Sequence, residues 1–72
     1  MTEKDAVERA KAIATDEGWP WVEPIRAVGF RNMFLGEKRW RVMSNCQNRG
    51  MNVRIVLRDD DGSVVEKGFM PR

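Results

Sequence analysis

Two stretches decide the fold: Arg39-Trp40-Arg41-Val42-Met43-Ser44-Asn45-Cys46 and Met51-Asn52-Val53-Arg54-Ile55-Val56-Leu57-Arg58. Both alternate with period two, the side-chain period of a β-strand. If Gln47-Asn48-Arg49-Gly50 forms the hairpin loop between them, the register opposes Cys46 with Met51, Ser44 with Val53, Val42 with Ile55 and Trp40 with Leu57. That face is almost wholly apolar. The other face opposes Asn45 with Asn52, Met43 with Arg54, Arg41 with Val56 and Arg39 with Arg58. A slip of one residue would bury the arginines, so the charge pattern itself fixes the pairing.

Working outward, residues 38–46 and 51–58 are the two central strands of the expected sheet. Residues 25–34 read as a preceding strand, with Gly29 suggesting a bulge and Leu35-Gly36-Glu37-Lys38 supplying the turn. Asp59-Asp60-Asp61-Gly62 is a turn into a last strand at 63–69, which Pro71 ends. At the other end of the chain, Ala6, Val7, Ala10, Ile13 and Ala14 recur at three- and four-residue spacing and form one apolar helix stripe. Thr2 and Asp5 have capping-box spacing, Lys4 with Glu8 and Asp5 with Arg9 are spaced i, i+4, and Gly18 is suited to ending the helix, placed at 3–17. Trp19-Pro20-Trp21-Val22-Glu23-Pro24 cannot be helical and connects helix to sheet. The expected architecture is α+β: one domain over residues 1–72, with an N-terminal helix packed on one face of a four-stranded antiparallel meander sheet.

Composition narrows the chemistry. The chain has 72 residues, no His, no Tyr and one Cys, so most groups used for acid–base, nucleophilic or zinc chemistry are missing. The expectation is a protein that is no enzyme and takes no cofactor or metal. The triple Asp before Gly62 does not make a calcium loop: with Gly62 at the invariant glycine, Leu57 falls at the first ligand position and Gly68 where a bidentate Glu is required. That spacing fails. No apolar run approaches the roughly 20 residues of a membrane span, and the charged start is no signal peptide. A cytoplasmic location with no membrane partner is expected, and the lone Cys46 fits a reducing compartment.

The net charge of +2 hides a segregated distribution. Residues 1–17 hold three basic against five acidic side chains, residues 18–58 eight against two, and residues 59–72 two against four. The basic middle is the one surface feature large enough to suggest binding. Arg39, Arg41, Arg54 and Arg58 project from adjacent strands, and Arg26 or Arg31 could extend the patch. Arg suits bidentate pairing with carboxylate or phosphate, yet Glu66 or the Asp59 to Asp61 turn could neutralise the patch from within. Trp19 and Trp21 either cap the end of a small core or present an aromatic binding edge. Cys46, on the core-facing side of a strand end, reads as an inert small hydrophobe.

Ala6, Ala10 and Ala14 in the helix, Trp40-Arg41-Val42 in the central strand, and Val53-Arg54-Ile55 followed by Asp59 and Gly62-Ser63-Val64 together resemble the small PepSY-like domains and related α+β immunity-type domains of bacterial toxin systems. The Asn48-Arg49-Gly50 turn and the ending Gly68-Phe69-Met70-Pro71-Arg72 depart from the usual PepSY pattern. PepSY domains are also commonly exported, whereas no export signal appears here. The resemblance implies non-enzymatic protein binding, often toward a peptidase, and carries over no catalytic residue. Two functions are therefore expected in rank order: a protein-interaction or inhibitory module acting on another protein such as a peptidase or toxin, then a nucleic-acid or polyanion binder using the arginine face. One helix cannot cover both faces of the sheet, so either a weak homodimer or a partner at the sheet edge is expected.

Overall fold

The computed structural model describes residues 1–31, 36–47 and 50–70. Helix α1 spans Glu3–Asp16, followed by strands β1 (Arg26–Arg31), β2 (Lys38–Met43), β3 (Asn52–Arg58) and β4 (Val64–Met70). The strands form one antiparallel sheet in the order β1-β2-β3-β4, the expected meander.

Both ends of α1 are closed by local chemistry. Thr2 and Asp5 form the capping box: each backbone N–H donates to the other's side chain at 3.2 Å. At the far end the Gly18 N–H donates to the Thr15 carbonyl and the Trp19 N–H to the Ala14 carbonyl, with Gly18 at φ 77°. This pair of bonds is a Schellman motif, and it needs a residue that tolerates the left-handed region. The i, i+4 ion pairs expected on the outer surface do not form among the described residues. Asp5 is held by Thr2, and Arg9 instead donates across the fold to the Gly62 carbonyl at 3.4 Å.

Ala6, Ala10 and Ala14 are fully buried against Val42, Val53, Ile55 and Leu57. Alanine at the three fully buried helix positions lets the helix backbone approach the sheet closely, with Val7 and Ile13 packed at the flanks, so the largest fully buried side chains come from the strands. Each such Val, Ile or Leu contributes roughly 1.5–3 kcal/mol of burial. The helix packs on β1, β2 and β3; β4 is covered instead by Trp19, whose ring stacks on Phe69 at a centroid distance of 6.2 Å.

The register of the central hairpin is the one the charge pattern demands: Arg39 opposes Arg58, Trp40 Leu57, Arg41 Val56, Val42 Ile55 and Met43 Arg54. Beyond Met43 the structure departs from expectation. The strand was placed through residue 46, but Asn45 adopts φ 52° and the chain turns away. The Asn45 N–H donates to the Val22 carbonyl and the Cys46 N–H to the Pro24 carbonyl, tying the hairpin end to the connector. The Ser44 N–H still donates to the Val53 carbonyl at 3.0 Å, and side chains complete the ladder: the Val53 N–H donates to Ser44 Oγ at 3.0 Å, and Asn52 Nδ2 to the carbonyls of Ser44 and Asn45. Buried polar groups are thereby satisfied where regular pairing stops.

A second correction concerns the bulge. Pairing of β1 with β2 runs unbroken through Gly29, which opposes Trp40. The irregularity lies between β3 and β4, where Val56 opposes Glu66 and Leu57 opposes Val64, leaving Val65 as the extra residue. A Cβ on Gly29 would meet the Trp40 ring at an ordinary 3.5 Å, so neither a bulge nor a forbidden approach explains this glycine. The first strand, expected over 25–34, is described as Arg26–Arg31; 32–34 lie outside the described residues, as do positions 48 and 49 of the hairpin loop and Pro71.

Candidate binding surface

The sheet face away from α1 carries Arg26, Val28 and Phe30 from β1, Arg39, Arg41 and Met43 from β2, and Arg54, Val56 and Arg58 from β3. Strand alternation puts them on one side because the partners of Val42, Ile55 and Leu57 face the helix. All four arginines expected on this face, Arg39, Arg41, Arg54 and Arg58, share it.

They are not equivalent. Glu37, half-buried just before β2, accepts from Arg39 Nη2 at 3.2 Å and also from Arg58 Nε. Asp60 lies 3.7 Å from Arg58 Nε, and Glu66 lies 4.0 Å from Arg54. The Glu37 carboxylate holds the Arg58 guanidinium above its ordinary pKa. The sequence points to Glu66 and the Asp59 to Asp61 turn as the neutralising acids; the main one is instead Glu37, a residue of the expected turn before β2. The sequence held a signal for it: in an extended chain residues 37 and 39 point the same way, and Glu37 is one of two acids among residues 18–58.

Arg26 and Arg41 form the other half of the face. Among the described residues neither has an ion-pair partner. They line a notch of about 190 Å³ together with Val28, Met43 and Cys46. Cys46 was expected on the core-facing side; the left-handed turn at Asn45 breaks the alternation, and Cys46 joins the arginine face instead. Val56, at the centre of the face, is only 4% exposed although no helix covers it. Its cross-strand neighbours are Arg41 and Glu66, side chains long enough to shield it with their aliphatic stems while keeping their charged ends in water.

The remaining candidates fall elsewhere. Trp19 and Trp21 are both packed against the core, Trp19 on Phe69 and Trp21 beside a groove of about 700 Å³ that Val7, Lys11 and Ile25 also line. They do not stand together as an exposed edge. In the acidic turn each carboxylate is engaged: Asp59 accepts from the Trp40 indole N–H at 2.7 Å, Asp60 from the Asp61 N–H and Asp61 from the Ser63 N–H. These bonds hold Asp59 and Asp61 below the usual carboxylate range. Among the described residues no helix is long and apolar enough to cross a membrane. No family model matches the chain, and no curated protein or solved structure matches it either.

Proposed function

We propose that the chain is a non-enzymatic protein-interaction module that binds through the open side and edge of its sheet. The observation that carries this reading is the internal pairing of Arg39, Arg54 and Arg58 with Glu37, Glu66 and Asp60. A surface built to release counterions from a polyanion would keep its cations free, because each phosphate contact must replace one. Here three of the four expected arginines already have carboxylate partners. Beside them, on the edge strand, the face turns apolar: Phe30 is 38% exposed, and Val28 lies half-buried. Apolar side chains next to charges suit a protein interface, where charges tune association and buried side chains supply most of the affinity.

The resemblance to PepSY-like and immunity-type domains points the same way, toward a peptidase or a toxin as the bound protein and inhibition as the outcome. The second reading, polyanion binding, draws on Arg26 and Arg41, which keep their charge unpaired among the described residues. Capture of partners from a native cell extract, with and without nuclease and across a salt series, separates the two. Protein capture that survives nuclease and moderate salt supports the module. Submicromolar binding to a defined oligonucleotide at physiological salt, lost when Arg39, Arg41, Arg54 and Arg58 are replaced by Gln, would reverse the ranking.

A further inference from the structure

The sheet has two edges, and their guards differ. On β4 the pairing is disrupted by the extra residue Val65, Glu66 lies 4.0 Å from Arg54, and Lys67 Nζ reaches Glu17 Oε1 of the helix at 2.6 Å. A bulge and charged side chains on the edge are the devices by which sheets discourage another strand from adding. On β1 the register with β2 is regular over all six residues, and the strand holds Arg26 and Arg31 with no acid. Its outer backbone groups have no strand partner among the described residues.

The charge beside β1 is also one-sided. Arg26 and Arg41 flank the notch of about 190 Å³ at the start of the strand. At its other end Gly29, Phe30, Arg31 and Lys38 line a depression of about 390 Å³. Arg31 donates to the Gly36 carbonyl, and Lys38 sits 5.0 Å above the Trp40 ring; among the described residues neither forms an ion pair with a carboxylate. The two depressions lie on opposite faces, because residues 26 and 31 differ in parity along the strand. They are separated by the length of β1, roughly 16–20 Å at the usual strand rise.

We propose that β1 is a docking edge for an extended acidic segment of a partner protein, which adds as a fifth strand and places one carboxylate near each end. The carboxylate on the open face sits between Arg26 and Arg41, where two guanidinium groups can both donate to it. Backbone pairing along β1 supplies affinity without regard to sequence, and the two basic ends select the acidic partner. This assignment rests on the protein-interaction reading above and specifies its edge and the chemistry of its partner.

The test uses the full chain, labelled with nitrogen-15, and three synthetic peptides of roughly ten residues, enough to span β1 and overhang it. All share an alternating Thr-Val centre and blocked termini; they carry Glu, Gln or Lys at the two ends. A thymidine oligonucleotide of similar length is the fourth probe. The Glu peptide is expected to shift amide resonances of residues 26–31 and to slow their hydrogen exchange, binding at least about tenfold more tightly than the Gln peptide. Replacing Arg26 and Arg41 by Gln should reduce that advantage to what the Arg31 and Lys38 end supplies, while leaving the spectrum of the free protein dispersed. Equal affinity for the Glu and Gln peptides, or an Arg26→Gln/Arg41→Gln variant that binds as before, would overturn the proposal. Shifts centred on residues 64–70 would overturn the choice of edge and leave the protein-interaction reading standing. Oligonucleotide binding tighter than that of every peptide would overturn both.

Discussion

The two faces of the sheet bury their central valines by different means. Val42 is sealed in the cluster that Ala6, Ala10 and Ala14 close, whereas Val56 on the opposite face is sealed by the side chains of neighbouring strands. One seal is apolar packing, indifferent to salt and pH. The other depends on long charged residues, which must remain in place and whose heads must find partners or water. The comparison explains why a small domain concentrates arginine on an open face: the stems cover apolar surface that a single helix cannot reach. It also explains why three of the five arginines on that face are matched with acids, since closely spaced like charges would otherwise repel.

The largest test of this contrast is the pair Val42→Asp and Val56→Asp. An Asp at 42 has no neighbour that could neutralise it and should cost more than about 3 kcal/mol, enough to leave the chain largely unfolded. An Asp at 56 lies between Arg41 and Glu66 near water and should cost clearly less. Urea denaturation followed by circular dichroism measures both, and equal losses would break the distinction between the faces.

Glu37→Gln probes the charged seal directly. It leaves Arg39 and Arg58 without their shared carboxylate and should destabilise by about 1 kcal/mol, with the loss shrinking in high salt as screening weakens the original pairs. Val42→Ala, by contrast, should show a loss that salt does not reduce. The same Glu37 variant should bind polyanions more strongly than the parent, which filter binding across a salt series would show.

Acid sharpens the contrast at the end of the molecule where α1, Trp40 and the acidic turn meet. Asp5 is held below the usual carboxylate range by the Thr2 backbone N–H, Asp59 by the Trp40 indole and Asp61 by the Ser63 N–H. A carboxylate with a lowered folded-state pKa contributes stability that is fully present above its unfolded value near 3.9 and is lost as pH falls through the folded value. The melting temperature should therefore decline below about pH 4, and Asp59→Asn should flatten that decline. An acid limb identical in parent and variant would show that the Trp40 to Asp59 bond carries no linkage.

The smallest effect is expected at Gly29. Its backbone pairs regularly and a Cβ would make ordinary contact with the Trp40 ring and the Lys38 stem, so Gly29→Ala should stabilise by about 0.5 kcal/mol through reduced freedom of the unfolded chain. A loss instead would mean that the covered face at Trp40 is packed more tightly than that spacing indicates.

The amino-acid sequence by itself determined the helix with its capping box and glycine stop, the meander order and the register of the central hairpin. Those features follow from local rules: the period of apolar residues, the few residues that cap helices, and the high cost of burying Arg39 or Arg58 in a slipped register. It also placed Arg39, Arg41, Arg54 and Arg58 on one face. What it did not show was which of them would be paired, because that depends on the reach of Glu37 across to Arg58, 21 residues away along the chain. Nor did it show that Cys46 would join the arginine face, since one left-handed residue at Asn45 reverses the alternation, and that turn is held by bonds to segments distant in sequence, from Asn45 and Cys46 to the connector and from Asn52 to the Asn45 carbonyl. The unequal guarding of the two sheet edges was equally out of reach. It arises from a bulge at Val65 and a Lys67 to Glu17 pair between distant segments, and contacts between distant segments exist only once the strands and helix are in place.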